Sequence, residues 1–149
     1  MDAVAIDLDG ALGDTRPLWN GWLVDVSRRA RLDVELPPDR PLAAAVLDAA
    51  LPNWPALLQR FAEDHAPVYL RPDAGASAAL RRLHDQGARL GVFTDAPEPL
   101  ARVALAHLGA ARRIDALAVG AGALERLLTE LGPRARVVHS TDELTAAAP

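Results

Sequence analysis

Asp7 and Asp9 stand one residue apart, directly behind the apolar run Ala3-Val4-Ala5-Ile6 and directly before Gly10. A continuous apolar run that ends in acids and a glycine predicts a buried parallel strand. Such a strand delivers its polar residues to the carboxyl edge of a sheet, where open α/β folds build their sites. Two carboxylates at this spacing suit metal-assisted chemistry on phosphate, in which one attacks or ligates while the other, pointing elsewhere, transfers protons. The plain alternative is a turn, which Asp and Gly often start. Asp7 argues against it by continuing the strand, where a buried charge is costly unless something pairs or uses it.

Composition limits what else can take part. All 16 basic residues are arginine, so any step that needs a lysine ammonium must use a guanidinium or do without. There is no cysteine, which excludes disulfides, thiol catalysis and Cys-ligated zinc within these residues. His65, His84, His107 and His139 show no paired metal-ligand spacing and are expected at the surface or the core edge. Gly120-Ala121-Gly122 can bring backbone amides to a phosphate, but it lacks the Lys-Ser/Thr ending of a nucleotide loop and reads as a tight strand-to-helix turn.

Elements that could position these residues alternate along the chain. After the first strand, Trp19, Trp22, Leu23 and Val26 predict a helix that ends before the polar, proline-bearing stretch 33–41. Pro41 opens a second helix through Leu51, Pro52 breaks it, and Trp54, Leu57, Leu58 and Phe61 recur at helical spacing. Residues 15–67 therefore form a helical insertion with no strand pattern, whose tryptophans are expected in its core. Beyond it the pattern predicts helix 73–86, strand 89–94, helix 97–108, strand 114–119, helix 123–131 and strand 135–139. Helices between apolar strands imply an α/β architecture, a doubly wound, Rossmann-like parallel sheet. The expected division is an α/β core of residues 1–14 and 68–149, with a small helical cap, 15–67, inserted after strand one.

The 149 residues, half of them hydrophobic, can bury one good core and a small satellite, but not two full domains. A net charge of −4 with interspersed arginines offers no basic face, so nucleic acid is not an expected partner. No run of about 18 apolar residues predicts a membrane span, and no charged-then-apolar leader precedes the first strand. A cytoplasmic location is the expectation.

The segment Val4-Ala5-Ile6-Asp7-Leu8-Asp9-Gly10-Ala11-Leu12-Gly13-Asp14-Thr15 resembles the first motif of the haloacid dehalogenase superfamily of phosphohydrolases, in its phosphoglycolate phosphatase-like branch with a small helical cap. Arg89-Leu90-Gly91-Val92-Phe93-Thr94-Asp95-Ala96-Pro97 is similar to the second motif, a strand ending in Thr or Ser. The resemblance covers roughly residues 1–120. It implies that Asp7 is the nucleophile of an aspartyl-phosphate route and that Asp9 is the acid and then the base. It further implies that Thr94 holds a phosphoryl oxygen, with Asp95 and Gly10 beside it in the substrate site. Magnesium is the implied cofactor, on the Asp7 carboxylate and the Asp9 backbone carbonyl, with Asp142 as a further acid. For Thr94 the residue-level alternative is a β-branched strand residue capping the next helix.

The resemblance breaks at the third and fourth motifs. The family's lysine is absent, and its region reads Val119-Gly120-Ala121-Gly122-Ala123-Leu124-Glu125. Ser140 stands where the first fourth-motif acid belongs, while Asp142 and Glu143 read as the first turn of a C-terminal helix. Arg113, Arg126 and Arg136 are candidate replacement cations, each also readable as a solvated charge. Three classes follow: a magnesium-dependent phosphatase of a small phosphorylated metabolite; a catalytically degenerate relative that binds a ligand or a partner protein; and, disfavoured by the missing lysine and the long insertion, a receiver-like phosphoacceptor.

Overall fold

The computed structural model describes residues 2–149. Four strands, β1 (Ala3–Asp7), β2 (Arg89–Thr94), β3 (Ala116–Val119) and β4 (Arg136–Val138), form one parallel sheet in the order β3-β2-β1-β4. In register, Asp7 stands opposite Phe93, and Thr94 opposite Val119. The sheet is covered on both faces, which is why its central strands read as unbroken apolar runs. Val4, Ile6, Leu90 and Val92 face the larger hydrophobic cluster, and Ala3, Ala5 and Phe93 face the smaller one.

Between β1 and β2 lie α1 (Arg16–Arg29), α2 (Arg40–Ala50), α3 (Trp54–Tyr69) and α4 (Ala74–Asp85); α5 (Glu98–His107), α6 (Ala123–Leu131) and α7 (Thr141–Ala147) follow the later strands. Prolines open α1, α2 and α3, where the missing N–H has no helical partner to lose. Asp39, Asp73 and Ser140 cap α2, α4 and α7 by accepting from the amides of Leu42, Ala76 and Glu143. Helix α3 carries Pro67 in its last turn and ends at Tyr69, so the helical segment runs slightly past the proline expected to close it.

The three tryptophans pack in a row, Trp19 with Trp22 at 5.3 Å between ring centroids and Trp22 with Trp54 at 6.1 Å. They do not form a separate satellite core. Trp19, Leu47 and Leu58 belong to the same cluster as Ile6, Leu90 and Leu100, and α3 packs on both α1 and α5. On the opposite face α6 presses Leu127 and Leu131 onto Gly91, where a Cβ would meet Leu127 Cδ1 at 2.6 Å. No helix among the described residues is long and apolar enough to cross a membrane.

The chain leaves β1 through one wide helical turn, Leu8–Leu12, interrupted by extended backbone at Asp9 and a positive φ of 112° at Gly10. Its exit carries Asp9 away from the strand axis, so Asp7 and Asp9 enter different surroundings. Only glycine fits at position 10, because a Cβ there would stand 2.5 Å from the His139 carbonyl oxygen.

Candidate active site

A cavity of about 690 Å³ opens at the carboxyl edge of the sheet. Asp7 and Asp9 from the end of β1, Phe93, Thr94 and Asp95 from the end of β2, and residues 120–125 from the turn into α6 line it together with Asp39, Arg40, Pro41 and Leu42 of the helical insertion. The two aspartates differ sharply. The Asp9 side chain is 9% exposed and accepts four hydrogen bonds: Oδ1 from the Thr15 amide and hydroxyl, both at 2.7 Å, and Oδ2 from Arg40 Nη2 at 2.5 Å and Thr94 Oγ1 at 3.2 Å. Burial pushes its carboxyl up, but the Arg40 charge and the Thr15 donors outweigh burial and hold it below the usual carboxylate range. Asp7 is 25% exposed and has one side-chain partner, Nδ1 of the exposed His139 at 3.2 Å. Burial raises its carboxyl above the usual value; the His139 contact opposes that rise and the Asp9 charge adds to it.

The Thr94 side chain makes two contacts within the protein. Its hydroxyl accepts from the Ala96 amide at 3.1 Å, fixing the turn into α5, and donates to Asp9. Asp95 lies in the wall as the acceptor of two Arg40 contacts, from Nε at 2.9 Å and from Nη2. Gly10 does not line the cavity; it is needed for the close passage beside His139.

Asp142 is exposed in the first turn of α7 and outside the cavity wall, because Ser140 caps that helix and sets its start beyond the edge of β4. Arg126 donates to the carbonyls of Val119 and Ala121, stitching the strand-to-helix turn. Arg136 begins β4 at the amino edge, and Arg113 follows α5 beside Arg81 and Arg112, so neither reaches the site. Two guanidinium groups line the cavity, the exposed Arg16 and, built into the wall, Arg40. The Arg40 side chain is 5% exposed and bonds Asp9, Asp95 and, through Nη1 at 2.7 Å, Thr15. The sequence gives one faint sign of it: Arg40 is the only basic residue between Arg31 and Arg60, and residues three and four away are Leu36, Pro37, Ala43 and Ala44, none able to pair with it.

Magnesium needs hard oxygen donors and keeps several waters. The Asp7 carboxylate suits it, being half-buried with only an imidazole contact. The Asp9 carboxylate is fully engaged, so Asp9 could offer only its backbone carbonyl; His139 and the capping Ser140 occupy the end of β4, and among the described residues no group of three or more His, Asp or Glu side chains is arranged to hold a metal ion.

The comparisons with known proteins speak to this architecture. The chain superposes on CbbY from Rhodobacter sphaeroides in complex with phosphate with a TM-score of 0.69 and 18% identity, over 92% of this chain and 76% of that one. A mutant of the same protein, in complex with xylulose-1,5-bisphosphate, matches at 0.68 and 17% over the same shares. A HAD phosphatase from Thermococcus onnurineus matches at 0.50 and 23%, over 80% of this chain and 62% of that one. The chain has the haloacid dehalogenase fold. No family model and no curated protein matches the sequence.

Proposed function

We propose that this chain is a slow phosphohydrolase of a small phosphorylated metabolite, with Asp7 as nucleophile and residues 15–67 as its cap. The observation that carries the reading is the contrast at the end of β1: Asp7 is a carboxylate without a strong partner, raised by burial, in the wall of an open cavity beside Thr94. Solved proteins of the same fold hold phosphate and a sugar bisphosphate, which supports a phosphorylated ligand here. In the reaction an Asp7 oxygen attacks phosphorus as the ester P–O bond breaks, and water then cleaves the aspartyl-phosphate to release phosphate and restore Asp7. Asp9 can serve the leaving group or the water only after giving up part of its Arg40 contact, because a carboxylate held ionised by a guanidinium is a poor acid. That requirement is the reason for slow turnover. Magnesium would be held by the Asp7 carboxylate with water and phosphoryl oxygens, and when bound it supplies charge neutralisation.

The test is hydrolysis of an aryl phosphate with and without magnesium, by the wild type and by Asp7→Asn. Turnover lost in Asp7→Asn supports the reading, since an amide cannot attack phosphorus. Turnover that survives the substitution overturns it. The fully engaged Asp9 carboxylate favours a second reading, a degenerate member that binds a phosphorylated ligand or a protein partner; it predicts ligand binding with no turnover above background.

A further inference from the structure

Five carboxylates, Asp7, Asp9, Asp39, Asp95 and Glu125, line the cavity against two guanidinium groups, Arg16 and Arg40. A phosphoryl dianion is repelled by such a wall unless a cation meets it. Arg16 cannot serve well, since it is 62% exposed and paired with Asp14. Arg40 is buried, and the chain has no lysine to share the task.

The contacts of Arg40 are unequal. A guanidinium has five N–H groups. Nη1 holds the buried Thr15 hydroxyl, and Nη2 reaches the Asp9 carboxylate, which is only 9% exposed, so both acceptors have little water to fall back on. The remaining contacts, from Nε and Nη2, fall on a single oxygen of Asp95, whose side chain is 55% exposed and is readily solvated when released. The Nε–Nη2 edge is the face of a guanidinium that matches two oxygens of a phosphate. Here it is filled by one carboxylate oxygen, an incomplete use of that edge.

We infer that the Nε–Nη2 edge of Arg40 is the phosphoryl-binding cation of this site and that Asp95 is a displaceable carboxylate holding its place. The inference rests on the reading that the cavity takes a phosphoryl group. On binding, two phosphoryl oxygens accept from Nε and Nη2, Asp95 turns to solvent, and Arg40 keeps its hold on Thr15 and Asp9. Because Arg40 stands at the start of α2 while Asp9 and Thr94 belong to the sheet edge, the anion is gripped between the insertion and the sheet. Asp95 thus acts against the ligand, opposite to the substrate-holding role that its position beside Thr94 suggests.

The experiment is calorimetric titration of the full chain with inorganic phosphate, comparing wild type, Asp95→Asn and Arg40→Lys, with circular dichroism to confirm folding. Removing the competing charge in Asp95→Asn should tighten phosphate about two- to fivefold, the scale of a partly exposed ion pair. Arg40→Lys keeps a positive charge for Asp9 but loses the forked edge, and should weaken phosphate about tenfold. If Arg40→Lys fails to fold, the exposed Asp95→Asn decides the matter alone. Unchanged or weaker binding in Asp95→Asn, or unchanged binding in a folded Arg40→Lys, overturns the inference. Phosphate binding indifferent to both changes, alongside turnover that depends on Asp7, sinks this inference and leaves the phosphohydrolase reading standing. No phosphate binding by the wild type sinks both.

Discussion

Asp7 and Asp9 are the same residue type two positions apart, and the structure gives them opposite electrostatic fates. Asp9 stabilises the fold as an anion: its carboxyl is held below the ordinary value by Arg40 and Thr15, with Thr94 and Asp95 adjacent. A lowered value in the folded state means stability that is present above the unfolded aspartate pKa of about 3.9 and lost as pH falls through the folded one. Removing the partner exposes the dependence. Arg40→Ala leaves a buried, unpaired carboxylate and should cost about 3–5 kcal/mol in a urea titration at neutral pH. Asp7 works the other way. Its value is raised in the folded state, so the ionised form penalises folding at neutral pH and the penalty vanishes once the group is protonated. Asp7→Asn should therefore raise the melting temperature at pH 7, with the gain fading as pH falls toward about 4. A variant that is no more stable at pH 7 would show that Asp7 carries no such penalty. The aspartates and Thr94 were legible in the sequence because their types and strand-end spacing announce them. Arg40 was not, since its acidic partners lie 31 and 55 residues away and meet it only once the insertion docks.

At the scale of elements, strand β2 and helix α6 have the bounds expected of them because alternation between apolar runs and helical periodicity is a local property. The wide turn Leu8–Leu12 was not legible. Its form depends on the His139 carbonyl beside Gly10, a contact made across almost the whole chain. Packing between elements can be tested at Gly91: Gly91→Ala puts a methyl group into Leu127 and Leu131, and should cost about 1–3 kcal/mol by displacing α6 from the sheet. The turn into α6 is also where the lysine of the third motif, expected from the resemblance, is missing. Gly122 has a φ of 68°, unsuited to a lysine, whereas Ala121 lies in the cavity wall without a positive φ. Ala121→Lys combined with Ser140→Asp, which keeps a capping side chain for α7, should raise aryl phosphate turnover by about tenfold or more if the scaffold supports the chemistry. Activity no higher than wild type would argue that the site is adapted to binding rather than hydrolysis.

For the whole molecule, the sequence announced a helical insertion but not how it is stabilised, since a run of tryptophans and leucines at helical spacing is equally consistent with a self-contained bundle and with helices pressed onto the sheet. The structure takes the second course: the tryptophan row, Leu47 and Leu58 continue into the cluster that covers β1 and β2, and the buried ion pair between Arg40 and Asp9 ties the insertion to the sheet edge. An insertion that shares the core on one face of the sheet unfolds together with the sheet when neither can lose its packing without exposing the other. All three tryptophans lie in the insertion, so their fluorescence reports on it, while far-ultraviolet circular dichroism reports on the helices of the whole chain. The two probes should give coincident urea transitions. Leu58→Ala, in the buried face of α3 between α1 and α5, should cost about 2–5 kcal/mol and move both transitions together. A tryptophan transition that runs ahead of the circular dichroism, or that alone responds to Leu58→Ala, would show an insertion that folds separately, and with it a site whose buried cation, Arg40, could leave while the sheet stays intact.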